Sequence, residues 1–555
     1  MSESDRLLLA AAGRTWPWSC ALGAVAAVQA LAETLLPATL GQAVDAAVFG
    51  RGGPMWPALL ASLVAVVAAG EVLVELVSGT SAAQATAWLR HRMVHHVLLL
   101  GARPRLPAGE MAGRVVTGTA DAGFGPSGGI RAVAAVLPPA GSLVALALID
   151  PWLAVTFAAG LPVIGALLRA FVRDTSAIVA RYLRTQGVIA ARLVGALRGS
   201  RTIAAAGTAA QEERRILTTL PELAEHGHAI WRVQAGVAAR GALAVPLLQV
   251  AVLAVAGLEL SAGRISPGQL LAAVQYAGLG AGIGPVITHL GRLARARAGA
   301  DRVVEVLSEP ALPYGSAAAP PGDGRLEFRG VVVDGVLDNV ELVVPAGSAV
   351  AVVGRSGSGK SLLAALAGRL AEPDSGEVLL DGVPVRTLDR GELRRAVGYA
   401  FERPVLFGGT VDEAIAFGPV PASAGQVRAA ARAASADAFI RRLPEGYGTP
   451  LADTPMSGGE RQRIGLARAF AHPGRVLLLD DATSSLDTVT ELQVGKALFG
   501  DLAGRTRLIV AHRAATAARA DLVAWVDEGR IRAFGPHRRL WRDPAYRSIF
   551  QGGVA

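Results

Sequence analysis

Residues Ala349 to Leu363 read AVAVVGRSGSGKSLL, and the rest of the chain is read outward from them. The β-branched residues Val350, Val352 and Val353 mark a buried strand, and the Ala/Leu-rich stretch beyond Ser361 marks a helix. Between them, Gly354, Arg355, Ser356, Gly357, Ser358, Gly359, Lys360 and Ser361 fit the glycine-rich phosphate loop GxxxxGK[ST] in its strand–loop–helix setting. Glycines are needed because backbone N–H groups must turn inward and touch phosphate oxygens with no Cβ in the way. The helix start, from Lys360 through Leu362, adds a partial positive charge beneath a bound phosphate. Lys360 is expected to reach the outer phosphates of a nucleotide and Ser361 to ligate Mg²⁺. Of 54 Lys and Arg residues only Lys360 and Lys496 are lysines, so arginine has been spared here, where a compact, flexible ammonium is wanted.

A phosphate loop alone says only that phosphate is bound. Further on, Arg475-Val-Leu-Leu-Leu-Asp480 is a buried strand ending in a carboxylate suited to hold Mg²⁺. It runs into Asp481-Ala-Thr-Ser-Ser-Leu-Asp487. Ahead of it, Ser457-Gly458-Gly459-Glu460-Arg-Gln-Arg opens a helix and so makes a second anion-binding helix start. One nucleotide needs one such start, so the second is expected to close on nucleotide held by another subunit. His512 ends a further apolar strand, Leu508-Ile-Val-Ala-His512, where an imidazole can meet a terminal phosphate.

Working back toward the N-terminus, the chain becomes too apolar for an ordinary soluble protein, with 52% hydrophobic and 18% charged residues overall. Six apolar segments lie at about 16–44, 55–78, 129–149, 151–172, 241–260 and 267–290, each near the ~20 residues a bilayer needs. Short turns around Gly50–Gly53, Asp150-Pro151 and Ser261–Ser266 join them in pairs, and stretches of about 50 and 70 residues separate the pairs. The long stretches carry the basic charge: Arg90, Arg92, Arg103, Arg105 and Arg114 in the first, and a series from Arg173 to Arg215 in the second. Both are therefore expected on the cytoplasmic side of the inner membrane, with the N-terminus and the phosphate-loop domain. Trp16, Trp18, Trp56 and Trp152 fall near segment ends, as interfacial aromatics should. The long stretches are helix formers, so the membrane helices are expected to continue far into the cytoplasm. The expected division is a six-helix all-α membrane domain at 1–308, a Pro/Gly/Ala linker at 309–324, and an α/β nucleotide domain at 325–555. The net charge of +9 is explained by the membrane-flanking arginines, so no nucleic-acid partner is expected, and the single Cys20 excludes an internal disulfide.

The order of phosphate loop, SGGE-RQR, LLLDD-ATSSLD and AHR resembles the ATP-binding cassette (ABC) transporters, and the six preceding segments resemble a half-transporter of the exporter fold. Gly195–Ile203 and Gly299–Val303 resemble the family within the membrane part. The resemblance implies ATP and Mg²⁺ as ligands, with Gly354 to Ser361 on the phosphates and Asp480 on the metal. It implies that Ser457, Gly458, Gly459 and Glu460 form the signature motif, Ser485 to Asp487 a loop crossing a dimer, and His512 a switch histidine. Segments around Glu110–Arg114 and Gly195–Arg201 resemble the family's coupling loops.

Four departures sharpen the expectation. Asp481 stands where the family has the glutamate that polarises water, and one methylene fewer withdraws the carboxylate by about 1.5 Å, where errors near 1 Å cost about 100-fold. Glu402 replaces a glutamine; it can ligate metal but adds negative charge. Gly335 stands where an aromatic would stack on adenine. The loop from Thr449 to Met456 is short and lacks the family's Gly-Glu pair. Together they point to a heterodimer in which this chain's own site hydrolyses slowly while its signature motif completes the partner's; an active homodimer is the plainer alternative. The expected activity is ATP-driven export of a small molecule, lipid or peptide. Uptake through the same fold, as in siderophore importers, and a membrane-bound ATP sensor or gated pore are the alternatives. In the membrane segments Glu33, Glu71 and Glu75 are candidates for holding a cationic cargo, against the reading that they bond neighbouring helices. Adjacent His95 and His96 do not share a helix face and are not read as a metal site.

Overall fold

The structure is a computed structural model describing residues 2–50, 55–101, 106, 108–282 and 284–551. Beyond Gly50, the expected turn at Gly50–Gly53 lies outside the described residues, as do Arg103 and Arg105. The chain forms two compact units, residues 1–97 with 106–309, and residues 98–105 with 310–555.

The first unit is helical. Among the described residues, four stretches are long and apolar enough to cross a membrane: Trp16–Val48, Met55–Leu99, Gly109–Ile149 and Leu243–Ser261, with a shorter apolar stretch at Pro151–Pro162. The expected fourth segment opens a helix of 48 residues, Pro151–Arg198, and the fifth closes one of 42 residues, Leu220–Ser261. These two pack along each other. Their length beyond the ~20 residues a bilayer needs carries them well past its apolar layer.

The sixth expected segment is two helices, Pro267–Ala281 and Gly284–Leu307. Pro285 has no N–H to continue the ladder, and Gly282 caps the first helix. The third segment is divided as well, into Gly125–Ala134 and Leu137–Ile149, with Pro138 and Pro139 in the first turn of the second helix. Pro37 and Pro246 by contrast lie inside unbroken helices. Trp16–Val48 and Pro267–Ala281 meet backbone to backbone: a Cβ on Gly41 would lie 2.6 Å from the Gly268 carbonyl oxygen. There Asp45 accepts the Gly268 N–H at 2.7 Å, so the helix start of one span is capped by a carboxylate from another.

The second unit is α/β. A six-stranded sheet runs in the order β10 (Arg530–Gly535), β9 (Leu522–Asp527), β3 (Ala349–Val353), β8 (Thr506–Val510), β7 (Val476–Asp480), β6 (Val397–Phe401), parallel except for β10. A four-stranded antiparallel sheet is ordered β2 (Leu337–Val344), β1 (Leu326–Val333), β4 (Ser375–Leu380), β5 (Val383–Pro384). Every residue of β3 is buried, and the two-residue period divides them. Ala349, Ala351 and Val353 enter a core with Ile464 and Leu479, whereas Val350 and Val352 enter one with Leu363 and Leu478. The stretch 310–324 is held against this unit. Arg369, 2% exposed, donates to the carbonyls of Val385, Arg386 and Pro313 and stacks on Tyr314, while Gly315 N–H donates to the Arg386 carbonyl.

Candidate nucleotide site

Parallel strands present their C-terminal ends along one edge, and the expected site residues follow those ends. The phosphate loop leaves β3, His512 follows β8, Asp480 ends β7 and Glu402 follows β6. Register fixes their alignment: Asp480 pairs with Phe401 on one side and Val510 on the other, and Val510 pairs with Val352.

In the loop, Gly357 and Gly359 have φ of 82° and 95°, values that side chains rarely adopt. Gly359 caps the helix Lys360–Ala367. Lys360 is 5% exposed, and its Nζ donates to the carbonyls of Gly354 at 2.9 Å and Arg355 at 2.8 Å. Burial lowers its pKa, and Asp481 and Asp480 oppose that.

Asp480 is the complementary group. Burial raises its pKa most; the Ser361 hydroxyl bond lowers it, Asp481 and Glu402 raise it, and His512 lowers it. One of its carboxylate oxygens, Oδ1, is buried with no partner, as is the Ser358 hydroxyl. An unpartnered buried carboxylate oxygen beside a serine hydroxyl fits a hard divalent cation. Ser361, whose hydroxyl bonds Asp480, and Asp480 itself are the residues that could hold Mg²⁺, and the exposed Glu402 is close enough to act on Asp480 by its charge. Asp481 has φ of 50°, a left-handed conformation that Asp tolerates better than most residues. Its Oδ2 lies 2.9 Å from His512 Nε2.

The second helix start, Gly458–Ala471, has Ser457 as its cap. Glu460 N–H donates to Ser457 Oγ at 3.2 Å, and the Glu460 carboxylate accepts from Ser457 N–H and hydroxyl, each at 2.9 Å. These bonds hold the Glu460 carboxyl below the usual range, backbone N–H of Ser457 first; the nearby charges acting on it are Arg463 and Arg442. Glu460 therefore supports its own helix, and a Cβ on Gly459 would lie 3.2 Å from the Ser485 carbonyl. Asp487 likewise caps its own helix, Thr488–Lys496, through Val489 and Thr490 N–H. Within one chain the structure thus brings together the phosphate loop, Asp480, Asp481, Glu402 and His512, and sets Ser457–Glu460 beside Ser485.

No aromatic stands at Gly335 (φ 72°); the adjoining Val336, 39% exposed, lies against the loop, its Cγ1 3.4 Å from a Cβ built on Gly359. The short loop after Thr449 is tied to residues 409–411 through Val411 N–H to Thr449 and Leu451 N–H to Gly409. Sequence reading missed Gln462. It is 1% exposed, between Arg461 and Arg463, and its amide touches the backbone of Glu402, Asp481 and Ser485.

In the helical unit, Gln29, Glu33, Glu71, Arg131 and His289 line a cavity of about 330 Å³. Glu75 is taken by Arg131 at 2.6 Å, and Glu33 accepts from Gln29 at 2.9 Å. Among the described residues Glu71 has no hydrogen bond or ion pair. Of the expected coupling segments, Arg114 bonds Glu110 at 2.7 Å and Glu305 at 2.5 Å, and Gly199 separates Pro151–Arg198 from a second helix, Ser200–Ala206.

Comparison with known proteins places both units. The family described as "ABC transporter" matches residues 337–484 and "ABC transporter transmembrane region" matches residues 20–280. The ABC transporter ATP-binding protein RamA of Streptomyces coelicolor is 48% identical over 540 residues, covering 95% of this chain and 84% of that protein. The mycobactin import ATP-binding/permease protein IrtB of Mycolicibacterium thermoresistibile is 43% identical over a match confined to 42% of each chain. A bacterial Atm1-family ABC exporter with ATP bound superposes with TM-score 0.78 at 26% identity, covering 98% of each chain.

Proposed function

Because this chain belongs to the ABC transporters, with membrane region and ATP-hydrolysing unit fused in one polypeptide, we propose that it is one half of a heterodimeric exporter whose own nucleotide site turns over slowly. Transporters of this fold work as dimers and couple ATP hydrolysis to transport. The observation that carries the finer reading is Asp481. Its side chain is one methylene short of glutamate and is engaged by His512 at 2.9 Å.

In this reading Gly354 to Ser361 and the helix start through Leu362 hold the phosphates, with the Lys360 ammonium released from the loop carbonyls. Ser361, Asp480 and Glu402 hold Mg²⁺, which when bound neutralises phosphate charge. Asp481, held by His512, orients the attacking water from too far away. Ser457, Gly458, Gly459 and Glu460, with Asp487 on the crossing loop, complete the partner's site. Two ATPs draw the dimer together, and hydrolysis at the partner's competent site resets it. The slow site acts by binding, which is sufficient to bias a two-state element.

The test is turnover of the purified full-length chain alone and with a co-expressed half-transporter that has glutamate at the matching position. Slow turnover alone, rising with the partner, supports the proposal. Brisk turnover from this chain alone, abolished by Lys360→Ala, overturns it. Transport assays in vesicles of both orientations decide between export and uptake.

We further propose that the cargo carries a positive charge. With Glu75 committed to Arg131, Glu71 is a cavity-lining carboxyl with no ion-pair partner among the described residues, and a carboxyl group in a membrane segment is a candidate to meet a cation.

A further inference from the structure

We propose that Gln462 is a positioning residue: a buried joint through which the signature helix holds the metal-site segment after β6 and the loop after Asp480 as one body. Its Nε2 lies 3.1 Å from the Glu402 carbonyl, 3.2 Å from the Asp481 carbonyl and 3.2 Å from the Ser484 hydroxyl oxygen. Its Oε1 accepts Ser485 N–H at 2.9 Å. The amide orientation is decided by chemistry. Turning it over would set its oxygen against two carbonyls and its NH₂ against an N–H.

The arithmetic of donors gives the joint its character. A carboxamide nitrogen has two hydrogens, and here three acceptors stand at nearly the same distance. Two acceptors are served at a time, and with all three in reach the carboxamide leaves no N–H of its own unpaired while tying both segments to the signature helix. The neighbouring contacts anchor the two segments separately. On the Glu402 side, a Cβ on Gly465 would lie 2.6 Å from Pro404 Cβ, and Arg468 donates to the Val405 carbonyl at 2.9 Å. On the other side, Gly459 stands against the Ser485 carbonyl. Gln462 reaches both. It therefore sets the backbone that carries Asp481 relative to the backbone that carries Glu402, two groups that the proposed function, on which this inference rests, places on the same Mg²⁺·ATP.

The test is Gln462→Met in the full-length protein, which keeps length and packing but removes the hydrogen bonds. The expected result is a fall in kcat of about tenfold, the scale of sub-ångström misplacement of reacting groups, with KM for Mg²⁺·ATP within twofold. Amide hydrogen exchange reads the joint without needing turnover. Peptides covering 402–407 and 481–487 should both exchange faster, while β3 and β7 keep their protection. An unchanged kcat, a loss of protection confined to 481–487, or a general loss including β3 and β7 would each overturn the proposal.

Discussion

Replacing Asp481 by glutamate is the perturbation with most at stake, because it restores length at the position where the proposed slow site falls short. The change moves the carboxylate outward by about 1.5 Å, and misplacement near 1 Å costs about 100-fold. The expected gain in kcat is therefore up to about 100-fold, or about 2.7 kcal/mol of barrier at 1.36 kcal/mol per tenfold. KM for Mg²⁺·ATP should stay within about twofold, because in the proposed reading the loop from Gly354 to Ser361, and not residue 481, holds the phosphates. A second effect runs the other way. Residue 481 has φ of 50°, where glutamate is less at ease than aspartate, so folding stability should fall by about 1 kcal/mol. That lowers the melting midpoint of the ATP-binding unit by about 2–4 °C.

The assay is phosphate release from the full-length protein in lipid nanodiscs, with a thermal melt on the same preparation. Asp481→Asn is the control: if the wild-type carboxylate is already too distant, losing it costs little. A slow site at Asp481 is refuted if wild type turns over at the ~10 per second typical of enzymes, Asp481→Asn abolishes that rate, and Asp481→Glu gains nothing. Aspartate would then be a competent base in place, and the asymmetric pair would lose its foundation.

Three further outcomes are expected. Glu460→Gln keeps the reciprocal cap of Ser457 but removes a negative charge from a helix start proposed to face phosphate. The dimer's KM for Mg²⁺·ATP should fall about two- to fivefold, matching the 0.3–1 kcal/mol that a charge at a helix end is worth. His472 is half-buried: its Nδ1 accepts Gly474 N–H at 3.0 Å, its Nε2 meets the Arg394 carbonyl at 2.8 Å, and desolvation lowers its pKa below the ordinary 6.5. A depressed histidine contributes stability that is full above 6.5 and lost as pH falls through its folded value, so denaturant midpoints should drop on acidification from about pH 6.5 and drop less in His472→Gln. Glu71→Gln should abolish stimulation of ATP turnover by a cationic dye such as ethidium and leave basal turnover unchanged; stimulation that survives would remove Glu71 from the cargo path.

What could be read from the chain, and what could not, follows from where each residue finds its partners. Ser457 and Glu460 are three residues apart and answer each other, so the second helix start was legible as a local pattern. The run Val350–Val353 was legible as a buried strand because both faces of a parallel sheet are covered, and continuous apolar sequence is what that requires. The prolines show where local reading gives out. Pro138 and Pro139 open a new helix, whereas Pro37 and Pro246 are absorbed inside one, and the difference is not written in the residue itself. The expected sixth segment failed as one helix for a reason that was present in its own Gly282 and Pro285, but its apolar character masked the break.

Gln462 lies beyond that kind of reading. Flanked by arginines, it has the composition of a solvated helix face, yet it is fully buried because Glu402, 60 positions earlier, and Asp481, 19 later, are brought to it by neighbouring parallel strands. The same holds for Asp481, whose engagement with His512 depends on β7 and β8 lying side by side. Motif residues that touch phosphate are visible because their chemistry is carried by identity and spacing. The residues that set the motifs against one another are visible only once the sheet has ordered the strands. A substitution at such a joint should therefore alter rate before affinity, and that is the split by which Gln462 and Asp481 can be told apart from Lys360.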